Sequence, residues 1–132
     1  MAVNVAVVAF PGTNCEMDVV EAVRSLGGDA EVVFHDHDRL DGFDAVVIAG
    51  GFAHGDYLRP GAIARFSPVM GAVTSFADAG GPVVGICNGF QVLTEMGQLT
   101  DAGCVAFGQA DVPLVNTQVL QRALQYASTF GY

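Results

Sequence analysis

Blocks of apolar residues change their period along this chain in a regular way. Val3 to Phe10 is an unbroken apolar, largely β-branched run closed by Pro11-Gly12, the pattern of a strand buried on both faces. Thr13 or Asn14 can then cap a helix running to about Leu26, with Glu16 and Asp18 in the first turn, where the helix dipole favours anions. Gly27-Gly28 ends it. Ala30 to Phe34 and Ala45 to Ala49 predict two further strands, joined by the short polar link His35 to Asp44. Pro60 to Ala79 predicts one helix, because Ile63, Phe66, Val69, Met70, Val73 and Phe76 recur at helical spacing. Pro82 to Cys87 predicts a fourth strand, and a helix begins at Gly89 and runs to about Met96. Cys104 to Phe107 predicts a fifth strand, and Thr117 to Phe130, capped by Asn116, a last amphipathic helix.

Strand–helix alternation requires parallel strands and right-handed crossovers. The expected fold is α/β: a flavodoxin-like three-layer sandwich with a five-stranded parallel sheet of order 2-1-3-4-5, in one domain spanning residues 1–132. In such sheets ligands bind at the carboxyl ends of the strands, near the switch in strand order. The loops at Pro11-Gly12, Gly50-Gly51 and Cys87 gather at that edge.

Composition narrows the partners. A net charge of −9, with only five Lys+Arg, excludes the clustered cations that nucleic acid or an anionic membrane needs. Hydrophobic residues are 52% of the chain and mean hydropathy is +0.44, so apolar surface left uncovered would favour a homo-oligomer. Charged residues, Gly and Pro interrupt every apolar run before it reaches membrane-spanning length, and no signal peptide is read at the N-terminus; a cytoplasmic location is expected. Cys15, Cys87 and Cys104 are too few and too dispersed for a disulfide scaffold or a zinc site. His35-Asp36-His37-Asp38 could attract a divalent metal, but an exposed polar loop explains it equally well, and no metal or cofactor is assigned.

The strongest chemical signal is Gly85-Ile86-Cys87-Asn88-Gly89-Phe90-Gln91. It has the form of a nucleophile elbow, after an apolar strand and before a helix. Glycines two residues on either side of the nucleophile allow a turn too sharp for a Cβ. Cys87 would stand at a helix N-terminus, where the dipole favours thiolate over thiol. The Asn88 N–H, and that of Gly51 after the neighbouring strand, could bond an oxyanion. A buried cysteine beside a tight turn is the plainer alternative.

Phe10-Pro11-Gly12-Thr13-Asn14-Cys15-Glu16, the block from Gly50 to Ala62, and Gly85 to Gln91 together resemble the glutaminase subunit of phosphoribosylformylglycinamidine synthase, a class I (triad) glutamine amidotransferase of purine biosynthesis. The resemblance covers residues 1 to about 99. It implies that Cys87 attacks the amide of glutamine, giving a glutamyl thioester and ammonia that passes to a synthetase subunit. It implies oxyanion donors at Gly51 and Asn88, and contact between Gln91 and the substrate. Tyr57, Leu58 and Arg59 belong to the same signature loop. His54 stands where that family often carries an aromatic residue and inherits no role.

The resemblance breaks after the elbow. The family places a His and a Glu downstream of the nucleophile, whereas here no histidine follows Cys87 and no glutamate follows Glu95. Residues 101–132 instead resemble a strand–helix unit of dihydroorotase, without that barrel's metal-binding residues. The expectation is a chimera, residues 1–100 from an amidotransferase and 101–132 from a barrel, forming a folded scaffold with an incomplete triad and no efficient activity. The alternative is residual glutaminase activity through Cys87, with His54 as an accidental base. A flavodoxin-type module holding a phosphate at Pro11 to Asn14 is a third reading, weakened by the lack of a Ser/Thr-rich loop.

Overall fold

A computed structural model describes residues 2–57 and 59–96. Its sheet has four parallel strands in the order β2-β1-β3-β4: β1 Asn4–Ala9, β2 Asp29–Phe34, β3 Ala45–Ile48 and β4 Val83–Gly85. This is the predicted order as far as it goes. The fifth strand expected at Cys104 to Phe107 and the helix at Thr117 to Phe130 lie outside the described residues. The helices are α1 Glu16–Ser25, α2 Pro60–Ala64, α3 Pro68–Asp78 and α4 Asn88–Glu95.

Central β1 explains the unbroken apolar run that opens the chain. Side chains alternate across a strand, and here both faces are covered. Val5 and Val7 join Val20 and Ala30 in the core beneath α1. Ala6 and Val8 face Val69, Met70, Val73 and Val92 on the other side. β4 is different. Val84 is 53% exposed and Ile86 45% exposed, so among the described residues the apolar pattern there exceeds what is covered.

Two helix boundaries differ from expectation. The helix predicted over Pro60 to Ala79 is two, broken at Ser67-Pro68. Proline has no N–H to donate and excludes helical geometry from the residue before it; Ser67 is accordingly extended, with φ −71° and ψ 140°. Val69, Met70 and Val73 remain buried, but Phe66, beyond the break, is 80% exposed, with Arg65 stacked over its ring. At α1 neither Thr13 nor Asn14 caps the helix. Cys15 holds that position without a side-chain cap, and the Thr13 hydroxyl instead accepts the Phe10 N–H at 3.0 Å, closing the turn after β1. The far end is as predicted. Gly27, at φ +84°, lets its own N–H reach Arg24 O and that of Gly28 reach Val23 O, the paired bonds that satisfy a helix's last carbonyls.

The strand order reverses between β1 and β3, so a crevice opens at their carboxyl ends. The loops there are bonded to one another: Cys15 N–H donates to Gly50 O at 3.3 Å and His54 N–H to Pro11 O at 2.6 Å.

Candidate active site at the end of the fourth strand

Cys87 sits between β4 and α4 with φ +53° and ψ −110°, a combination that residues with a side chain rarely adopt. Its side chain is exposed at the helix N-terminus. The elbow is crowded from three directions. A Cβ on Gly89 would run into the Ile48 carbonyl of β3, and one on Gly85 would come within 2.7 Å of Gly89 backbone. A Cβ on Gly50 would lie 3.0 Å from both the Cys87 Cβ and Ile86 O. Turn, strand and helix fit only because these three positions are bare.

Gly50 is therefore the glycine packed against Cys87. Gly51, the expected oxyanion donor, has φ +91° and lies against Asn14 and the Cys15 thiol. The Asn88 N–H is in the first turn of α4, where no helical carbonyl is available to it.

The Asn88 side chain plays a part that sequence reading missed. It is 5% exposed. Its Oδ1 accepts the Ala53 N–H at 3.0 Å, and its Nδ2 donates to Asp56 Oδ1 at 3.1 Å and Gln91 Oε1 at 2.7 Å. Ala53–Asp56 forms a short 3₁₀ turn. Phe52 before it and His54 and Asp56 within it all have positive φ, conformations that cost of order 1–3 kcal/mol each and persist only where surroundings hold them. The same segment is tied down further along α4, where Arg59 Nε meets Glu95 Oε1 at 3.3 Å and Gly61 abuts Gln91 O. The strained turn from Phe52 to Asp56 is thus tied to the helix that follows Cys87. An Asn one residue after a helix-leading cysteine was the available clue, since Asn is a poor helix former.

The histidines lie elsewhere. The His54 ring packs on Phe10 with centroids 5.7 Å apart, and its Nε2 is buried without a partner. Burial, and secondarily the nearby His35, hold its pKa below the ordinary value of 6.5. His35 stacks edge-on against Phe34, and His37 Nδ1 lies 3.2 Å from Phe34 O and 3.3 Å from Asp36 Oδ1. His35 and His37 thus lie at the end of β2, and the His54 ring lies against Phe10 at the end of β1. No group of three or more metal-ligating side chains is assembled among the described residues, and none of their helices is long and apolar enough to cross a membrane.

A family model described as a CobB/CobQ-like glutamine amidotransferase domain matches residues 2–124. The chain belongs to that family. Among relatives of this amidotransferase domain, the protein from Sulfurimonas denitrificans named phosphoribosylformylglycinamidine synthase subunit PurQ is 56% identical over 100 residues, 75% of this chain and 45% of that protein. The subunit of the same name from Prochlorococcus marinus is 55% identical over 100 residues, 75% of this chain and 46% of its own length. A solved structure, PurLQS from Thermotoga maritima, superposes with a TM-score of 0.69 at 40% identity, covering 74% of this chain and 45% of that one. The amidotransferase domain described here thus spans less than half the length of these relatives. The family match crosses the junction expected near residue 100 and runs on to residue 124; it gives no support to a dihydroorotase-like tail or a chimera.

Proposed function

We propose that this domain supplies the nucleophilic half of glutamine amide cleavage. The Cys87 thiolate attacks the side-chain carbonyl of glutamine, a glutamyl thioester forms, and ammonia leaves. One observation carries the reading: Cys87 is exposed, in a strained backbone conformation and at the N-terminus of α4, with bare Gly50 beside its Cβ. The bare Gly50 packs beside the Cys87 Cβ, and the exposed thiol is open to an approaching carbonyl. In this reading Gly51 and Asn88 offer N–H groups to the oxyanion, and Gln91 contacts the substrate. The relatives are named as subunits of phosphoribosylformylglycinamidine synthase, which supports ammonia delivery to a synthetase partner.

A second reading, a domain that acylates but turns over poorly, is favoured by one fact. Within these 132 residues no histidine follows Cys87, and the three upstream are engaged around β1 and β2. A leaving ammonia and an attacking water both need a proton carrier.

A glutamine-mimicking chloroketone, followed by peptide mass spectrometry, tests the first reading. Labelling is expected at Cys87, not at Cys15 or Cys104, and is lost in Cys87→Ser. Random labelling of all three cysteines would sink the proposal. Ammonia release from glutamine that exceeds the Cys87→Ala background would dispose of the second reading.

A further inference from the structure

We infer that Asn88 and Asp56 are positioning residues that set the hydrogen-bonding polarity of Gln91, so that Gln91 meets the bound glutamine as a donor to one of its oxygens. The inference rests on the glutaminase reading above and deepens it. A carboxamide can be turned end for end, and only its partners decide which end faces where. At Asn88 both ends are decided. The Ala53 N–H can only donate, so the atom 3.0 Å from it is the carbonyl oxygen. The Asp56 carboxylate can only accept, so the atom 3.1 Å from it is the amide nitrogen. That nitrogen also lies 2.7 Å from the Gln91 side chain and must donate there. The facing atom of Gln91 is therefore its oxygen, and its NH₂ is the end left for a ligand on an exposed side chain.

The chain of constraint starts in the backbone. Ala53 and Asp56 are held by the 3₁₀ turn and its positive-φ neighbours, and Asn88 is buried among them. A buried, fully partnered amide does not turn over without losing two bonds, each worth about 0.5–1.5 kcal/mol net and more if left unmade. The strained signature loop therefore fixes which end of Gln91 the substrate meets, three residues along the helix from Asn88. A ligand that presents an oxygen is selected there over one that presents an N–H.

The experiment separates positioning from folding. In the double variant Asn88→Asp/Asp56→Asn, the carboxylate at position 88 still accepts from Ala53 N–H and from the new amide at position 56, so the latch survives. It cannot donate to Gln91, whose amide must rotate and turn its oxygen toward the ligand. Labelling of Cys87 is compared for the L- and D-forms of a glutamine-mimicking chloroketone and for iodoacetamide. Wild type is expected to prefer the L-chloroketone. The double variant, with wild-type thermal midpoint, should lose about tenfold of that preference through weaker binding, the cost of one mispaired polar contact; the preference is read as the ratio of L to D labelling rates, each divided by the iodoacetamide rate of the same variant, so that a change in thiol reactivity cancels. Gln91→Glu, at an exposed site that leaves the latch intact, should lose as much. Retention of the L-preference in either folded variant overturns the inference. No L-over-D preference in wild type instead overturns the glutaminase reading, and this inference with it.

Discussion

Cys15 and Cys87 occupy the same formal place in the fold, each the residue that leads into a helix beneath the carboxyl end of a strand. Both receive the same dipole. Their backbones differ. Cys15 has φ −105° and ψ 11°, is half-buried, and points its thiol at Asn14 Oδ1 3.3 Å away. Cys87 has φ +53° and ψ −110° and projects into the open. A helix N-terminus alone therefore does not present a thiol to the solvent. The sharp turn does, and it exists because Gly50, Gly85 and Gly89 give up the space a Cβ would fill.

The largest way to break that contrast is to fill the space. Gly89→Ala drives a methyl group into the Ile48 carbonyl, where neither the β3 backbone nor α4 can yield cheaply. A loss of about 3 kcal/mol or more in unfolding free energy is expected. Gly27→Ala is the matched control. Its φ is +84° but nothing lies within 4 Å of the added Cβ, so only the left-handed backbone is penalised, by about 1–2 kcal/mol. Urea midpoints of the two variants decide the point. Equal losses would mean that conformation, not crowding, governs the elbow.

A smaller effect has opposite signs at the two cysteines. Cys87→Gly removes a side chain that packs on little and relaxes an unfavourable backbone, so the domain should gain about 1 kcal/mol while its labelling is abolished. Cys15→Gly relieves nothing and gives up a half-buried thiol, with a loss of about 0.5 kcal/mol. Stabilisation at position 15, or destabilisation at 87, would contradict the strain assigned to the elbow.

How much of this could be read from residues alone follows from the same physics. The elbow was legible because Gly-x-Cys-x-Gly after a β-branched run has few other uses, and the order β2-β1-β3-β4 because alternation and crossover handedness leave few topologies. The break at Ser67-Pro68 was legible too, but helical spacing on either side of it masked the proline. The left-handed run at Phe52, His54 and Asp56 was not, since these residues favour other regions when free and adopt this one only where Asn88 and the Pro11–Gly12 turn hold the loop. Nor were the different neighbours of Gly50 and Gly51. Neighbouring glycines look alike in sequence, and only the fold shows that one faces Cys87 and the other Cys15.

The smallest effect concerns His54 and tests whether it acts on Cys87. Its pKa lies below 6.5 in the folded chain, chiefly through burial and then through His35, whereas an unfolded chain returns it to about 6.5. As pH falls through 6.5 the unfolded state takes up the proton first, so this group makes stability fall with falling pH, levelling off only below the folded-state pKa. His54→Phe keeps a ring against Phe10 and removes the proton site. Its stability relative to wild type should therefore rise between about pH 7.5 and pH 5, a window bracketing the ordinary histidine value, as followed by urea midpoints. A constant difference across that range would refute the lowered pKa. Because the ring lies over β1, two strands from β4, the pH profile of Cys87 alkylation should be the same in His54→Phe as in wild type. A shift in that profile would couple His54 to Cys87 and support it as the base.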